Sequence, residues 1–218
     1  MKNSALILLS GGLDSLVALD IVSKEMNIAL ALTFNYGQKA FLEEEKAAKE
    51  IAKIYNIKHL AIELPFLQKI TINALTDDNN CDFDNLKSVW IPNRNGLFLN
   101  IAACYCEQYK IDYIVFGANS EEGRDFSDNR QEFGELCNKV FEYSTMTHPK
   151  VLAPCVEMSK VDMVNYMIEN NISFKLIKSC YRNEKEFNKK HCNKCMSCRL
   201  LYNAIKNSTK PELLNEVF

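Results

Sequence analysis

The stretch Ser10-Gly11-Gly12-Leu13-Asp14-Ser15 decides how the rest of the chain is read. It follows an apolar run, Ala5-Leu6-Ile7-Leu8-Leu9, and opens a segment with Leu13, Leu16, Val17 and Ile21 at helical spacing. The expected order is strand, tight turn, helix. Two glycines let the backbone approach a ligand closely, and the free N–H groups of a helix start, at the positive end of its dipole, suit a phosphate or pyrophosphate. Ser10 and Ser15 add hydroxyl donors. Asp14 is the odd member: a carboxylate beside bound phosphates is repulsive unless a cation lies between them, which makes it a candidate to hold Mg²⁺ with a nucleotide. The bland alternative is a structural turn with a capping Ser. The spacing fits neither G-x-x-x-x-G-K-[ST] nor G-x-G-x-x-G.

The six residues resemble instead the PP-loop of the ATP pyrophosphatases, and they stand directly after the first strand, where that family carries the motif. The resemblance implies ATP cleaved between its α- and β-phosphates, with a carboxylate or carbonyl oxygen adenylated and pyrophosphate released.

The 218 residues fit one α/β domain with at most a small appendage. Hydrophobic residues at 47% and charged residues at 25% are ordinary for a globular protein. A net charge of −2 gives no global pull toward nucleic acid, so a small-molecule substrate is the expected partner. No apolar stretch reaches membrane-spanning length and the N-terminus runs into the first strand without a signal-peptide pattern, so no membrane partner and a cytoplasmic location are expected. Three of the nine cysteines crowd within positions 192–198, which in a reducing compartment points to metal rather than disulfides.

Further strands are read over residues 28–34, 59–64, 111–117 and 151–155, and helices over 41–55, 97–109 and 132–143 and from Ser159 onward. The alternation implies a mainly parallel five-stranded sheet with helices on both faces. Glu43, Glu44 and Glu45 read as a solvated helix face, and residues 66–88, with the polar run from Thr76 to Asp84, as a mobile loop. Cys104 and Cys106 fall within an apolar helix and are expected in the core. Tyr36-Gly37-Gln38 ends the second strand where α/β sheets bind ligands. Arg94, in a turn before a buried helix, is placed to reach a phosphate or carboxylate. Gly117, with Ala118 and Asn119, ends the fourth strand with small residues that admit a nucleobase. The charged stretch 120–131 reads equally as a solvated loop or as a loop that reads substrate. Ser159 and Asp162 form a capping-box pattern, which puts Lys160 beside a helix N-terminus, where it could neutralise a leaving pyrophosphate. His59 and His148 are read as structural, and the tail from Asn203 as peripheral.

Cys180-x₁₁-Cys192-x₂-Cys195-x₂-Cys198 is the second strong signal. Four thiolates make a closed tetrahedral Zn²⁺ site with no position left for water, hence a structural one. His191 could replace Cys180, and an iron–sulfur cluster is the rival occupant, since spacing alone does not name the metal.

Together with Pro92-Asn93-Arg94-Asn95, Ser159-Lys160 and Ser179-Cys180-Tyr181, these motifs resemble the 7-cyano-7-deazaguanine synthase family of PP-loop enzymes over nearly the whole chain. The resemblance implies a Rossmann-like fold of the HUP (adenine nucleotide alpha hydrolase-like) type. Residues 1–175 would form the PP-loop domain and 176–218 a zinc-binding segment packed on it. It implies ATP, Mg²⁺ and Zn²⁺, a homodimer, and conversion of 7-carboxy-7-deazaguanine and ammonia to the nitrile through an adenylated acid and an adenylated amide, in queuosine biosynthesis. Asp14, Ser15, Arg94 and Lys160 are the implied catalytic residues. Ser10, Gly11, Gly12, Leu13, Tyr36, Gly37, Gln38 and Gly117 complete the nucleotide site, and Cys180, Cys192, Cys195 and Cys198 hold zinc. The chain departs from the family pattern at Asn35, Ala40 and Lys178, and over residues 122–128, which keep an acid at each end but lose the aromatic and Pro pattern. A paralogue that adenylates another carboxylate or stops at the amide is the alternative reading. A PP-loop tRNA thiolase and a non-enzymatic nucleotide-binding module are further ones.

Overall fold

The central strand Ser4–Leu8 (β1) carries Ala5, Leu6 and Ile7, all fully buried. Side chains alternate across a strand, so Leu6 enters one core while Ala5 and Ile7 enter the other, on the opposite face of the sheet. A strand buried on both faces is what a parallel sheet covered by helices requires. The computed structural model describes residues 3–71, 73–77, 86–183 and 190–218.

From β1 the chain runs through α1 (Leu13–Ser23), β2 (Asn27–Asn35), α2 (Phe41–Ile54) and β3 (His59–Glu63) to two short helices, α3 (Phe66–Ile70) and α4 (Leu86–Val89). It continues through α5 (Arg94–Tyr109), β4 (Tyr113–Val115), α6 (Glu122–Asp125), α7 (Gln131–Ser144), β5 (Lys150–Leu152), α8 (Lys160–Glu169), α9 (Met196–Lys206) and α10 (Leu214–Val217). All five strands are parallel, in the order β3-β2-β1-β4-β5. Helices α1, α2, α8 and α9 bury Leu16, Ile51, Met163 and Leu201 on one face of the sheet; α5 and α7 bury Leu99 and Phe141 on the other. This is the Rossmann-like fold expected. Its strand order reverses between β1 and β4, so the crevice at their carboxyl ends is the natural ligand site.

Several expectations need correction. Within the stretch read as a mobile loop, Phe66–Ile70 is helical and Asn73, Ala74, Leu75 and Thr76 are buried, with Asn73 Oδ1 accepting from the Leu75 N–H at 2.8 Å. Most of the polar run from Thr76 to Asp84 lies outside the described residues. Cys106 is in the core, but Cys104 is exposed on the far side of α5. Arg94 is the first residue of α5, because Asn93 takes a left-handed conformation (φ 55°) that starts the helix three residues earlier than read. The tail is not peripheral: Ala204, Ile205 and Val217 join the core, and Phe218 packs its ring 5.2 Å from that of His191. No helix among the described residues is long and apolar enough to cross a membrane.

Candidate active site and metal centre

The turn after β1 is built from its glycines. Gly11 has φ +78°, and a Cβ there would lie 2.8 Å from the Glu44 carbonyl oxygen and from Ala47 Cβ, so only glycine lets α2 pack against the loop. The Gly11 carbonyl accepts from the Lys178 N–H at 2.7 Å, which fastens the C-terminal segment to the loop. Gly12 is the N-cap of α1 and gives it no side-chain cap, so the first N–H groups of the helix stay available to a ligand. Ser10 Oγ and Ser15 Oγ are 3.2 Å apart, and Ser15 Oγ donates to the Gly12 carbonyl at 3.1 Å.

A cavity of about 270 Å³ opens here, lined by Ser10, Gly12, Leu13, Asp14, Ser15, Tyr36, Gln38, Arg94, Gly117 and Lys160. The predicted residues Gly11 and Gly37 stand behind its wall: Gly37 (φ +88°) makes a turn into which Gln68 packs. Leu13 lines the cavity while its side chain belongs to the core. Gly117 is needed for close approach, since a Cβ there would meet the Ser15 backbone nitrogen at 2.7 Å.

Lys160 reaches the cavity from the start of α8, where the Ser159–Asp162 capping box is fully formed. Its Nζ donates to Asp14 Oδ1 and Oδ2 at 2.8 and 2.6 Å and to Glu122 Oε1 at 2.9 Å. Asn119 Nδ2 donates to Asp14 Oδ2 at 3.3 Å, while Asn119 Oδ1 accepts the N–H groups of Glu121 and Glu122. Burial pushes the Asp14 carboxyl above its ordinary range against the pull of Lys160, and the charge of Glu122 adds to the rise. Burial works against Glu122 as well, but there the Lys160 ammonium prevails and the carboxyl stays below its usual range. Two carboxylates share one ammonium, so the cluster carries a net negative charge that a divalent cation would relieve.

On another wall Arg94 donates from Nη1 to the Tyr36 hydroxyl at 3.2 Å, with its guanidinium 5.5 Å from the centre of that ring. Phe34 and Phe98 stack 4.1 Å apart, and Trp90 and Phe126 stack 5.2 Å apart, all four lining the cavity. Glu44 turns inward to accept from Gln38 Nε2 at 3.0 Å, and burial raises its carboxyl. Of the charged stretch 120–131, Arg124 and Asp125 are exposed, whereas Glu122 and Asp128 line the cavity. The stretch is therefore solvated at some residues and cavity wall at others.

The Sγ atoms of Cys180, Cys192, Cys195 and Cys198 lie within 4.8 Å of one another, an arrangement that could hold one metal ion. Tetrahedral thiolates about 2.3 Å from Zn²⁺ would stand about 3.8 Å apart, and Cys192 and Cys198 are 3.9 Å apart. The Lys194 and Cys195 N–H groups donate to Cys192 Sγ, and the Arg182 N–H to Cys180 Sγ. His191 is not a fourth ligand. Its Nε2 accepts from the Ser179 N–H, and its Nδ1 lies 3.0 Å from the Val217 carbonyl oxygen. The segment that carries the cysteines also supplies Lys178, Ser179, Tyr181, Met196, Ser197 and Leu200 to the cavity wall.

Among solved structures the fold is similar to that of the U34-tRNA thiolase NcsA from Methanococcus maripaludis with its [4Fe-4S] cluster, with TM-score 0.53 and 15% identity over 99% of this chain and 73% of that one. An NMN synthetase from Francisella tularensis matches at TM-score 0.50 and 14% identity, over 99% and 82%. Sequence relatives are nearer. A 7-cyano-7-deazaguanine synthase from Pelotomaculum thermopropionicum is 38% identical over 94% of this chain and 97% of its own length. One from Desulforamulus reducens is 40% identical over 92% of each, and one from Methanosarcina barkeri 34% over 94% of each. The family model described as queuosine biosynthesis protein QueC matches residues 4–209. The glycine turn at the sheet's switch point and the four-cysteine cluster, whose segment walls the same cavity, agree with that match, and the chain belongs to the QueC family of 7-cyano-7-deazaguanine synthases.

Proposed function

We propose that this chain is an AMP-forming ligase that converts 7-carboxy-7-deazaguanine and ammonia to 7-cyano-7-deazaguanine at the expense of ATP. The observation that carries the reading is the cluster of Asp14 and Glu122 around the buried Lys160 at the mouth of a capless helix N-terminus. That is a phosphate site joined to a charge cluster short of one cation.

In this reading the N–H groups of α1, with Ser10 and Ser15, hold the α-phosphate and the leaving pyrophosphate. Asp14 would hold Mg²⁺, which screens the phosphate oxygens when bound. Lys160 and Arg94 supply the fixed positive charge. A carboxylate oxygen of the substrate attacks the α-phosphorus and pyrophosphate leaves. Ammonia then adds to the acyl carbon, and AMP departs with the former carboxylate oxygen to give the amide. The amide oxygen is adenylated by a second ATP. Loss of both N–H protons and departure of AMP leave the nitrile. Adenylation converts a poor leaving oxygen into a good one, so the protein mainly positions groups and neutralises charge, and no covalent nucleophile is required.

The four thiolates hold zinc, and its role is to fix the part of the cavity wall made by Lys178, Ser179, Tyr181, Met196, Ser197 and Leu200. Residues 176–218 form the segment built around it. A homodimer in the cytoplasm, with no nucleic-acid or membrane partner, belongs to the same reading. The test is turnover of 7-carboxy-7-deazaguanine with ATP, Mg²⁺ and ammonium, followed by pyrophosphate release and product mass.

A further inference from the structure

Two purine-type rings must enter one cavity in the proposed reaction, so each needs a place that rejects the other. The wall that holds Trp90 and Phe126 also holds Asp128, in the turn Ser127–Asn129 that follows α6. Asp128 is only 8% exposed. Its Oδ1 accepts from Asn129 Nδ2 at 3.1 Å, and among the described residues it forms no ion pair. Burial raises its carboxyl, with the charge of Arg94 acting against that rise. A buried carboxylate with no cation in direct contact, and with lone pairs beyond the one Asn129 fills, can take further N–H donors from a ligand in the cavity.

We propose that Asp128 is the specificity-determining residue of the base site, accepting the ring N–H and the exocyclic 2-amino N–H of a guanine-type edge beside the Trp90–Phe126 stack. A carboxylate matches two adjacent donors. Adenine offers a ring acceptor next to its amino group and would set a lone pair against the carboxylate, so the adenine of ATP is rejected from this site. The inference rests on the substrate being a 7-deazaguanine and adds which residue reads it.

The experiment compares the full-length, metal-replete protein with Asp128→Asn. Each is given 7-carboxy-7-deazaguanine and the analogue that lacks the 2-amino group. The chain has one tryptophan, so quenching of Trp90 fluorescence reports ring binding without turnover. The wild type should favour the amino-bearing substrate by at least about 100-fold in kcat/KM, because a site built to pair a donor leaves a buried acceptor unpaired with the analogue. In Asp128→Asn the preference should fall below about 10-fold, mostly through KM and the quenching Kd, with the KM for ATP within about twofold of wild type. An unaltered preference in a variant that still binds ATP overturns the inference and leaves the proposed reaction standing. Absence of wild-type turnover overturns the reaction instead, and the Trp90 titration then decides the base reading: Asp128-dependent quenching upholds it and Asp128-independent quenching overturns it.

Discussion

The ammonium of Lys160 is held by both carboxylate oxygens of Asp14, at 2.8 and 2.6 Å, although the two residues are 146 positions apart in the chain. One stands in the first turn of the helix after β1, the other in the first turn of α8. Their meeting places a fixed charge pair beside the glycine turn that follows β1.

If these residues act as a unit, their losses are not additive. Asp14→Asn and Lys160→Met should each lower pyrophosphate release by about 10²–10³-fold, and the double variant should lose little more than either alone. A double-mutant cycle in which the two effects multiply contradicts the shared role.

Gly117 and Gly134 give opposite expectations for the same substitution. A Cβ at Gly117 meets backbone atoms of Ser15 and Asp14 at 2.7 and 2.8 Å, which cannot move without displacing the loop. Gly117→Ala should cost about 1–3 kcal/mol and raise the KM for ATP. At Gly134, inside α7, the nearest atom is Val151 Cγ1 at 3.4 Å, so Gly134→Ala should be neutral or stabilise by about 0.5–1 kcal/mol. Urea titrations of both variants decide the contrast.

The cysteine site predicts one zinc per chain by elemental analysis and a colourless protein. Cys195→Ser should lose the metal and roughly 3–5 kcal/mol of stability, about 6–20 °C in Tm. Because the same segment walls the cavity, ATP affinity should fall with the metal. A brown protein with iron and sulfide would contradict the zinc assignment.

Asp20 ties three helices together: its carboxylate accepts from the Tyr55 and Tyr166 hydroxyls, each at 2.7 Å, and lies 3.0 Å from Lys24 Nζ. Burial would raise its carboxyl, but these hydrogen bonds outweigh it and hold the group below its ordinary 3.8. A group depressed in the folded state contributes its full stability above the unfolded value and loses it as pH falls through the folded one. Asp20→Asn should therefore cost about 1–3 kcal/mol at neutral pH, and the gap to wild type should hold from pH 8 down to about 5 and narrow below about 4. Narrowing already between pH 8 and 6 would contradict this assignment.

The fold was legible because β1 and its glycine turn carry local signals: an apolar run, two glycines and helical spacing after them. The order of the strands was not, since it depends on contacts between distant segments. Glu44 shows what helical phase would have revealed. It lies three and four residues before Ala47 and Ala48, on the buried face of α2, yet a run of three glutamates reads as solvated. Glu122 and Asp128 were harder, because the irregular backbone of residues 120–130 has no period from which to tell inward from outward. Cys180 could not be separated from His191 by spacing; the neighbours of the imidazole, Ser179 and Val217, settle it.

If two successive activations occur in this one cavity, they set the ratio of pyrophosphate released to nitrile formed from 7-carboxy-7-deazaguanine with ¹⁵N-ammonium, and that ratio is the measurement to make. The account predicts two pyrophosphates and two AMP per nitrile, with the label in the product. It also predicts that Asp14→Asn slows release of both by about 10²–10³-fold. A product that stops at the labelled amide with one pyrophosphate released, or no turnover by folded, metal-replete protein, would contradict it and favour a paralogue that adenylates a different substrate or ends at the amide.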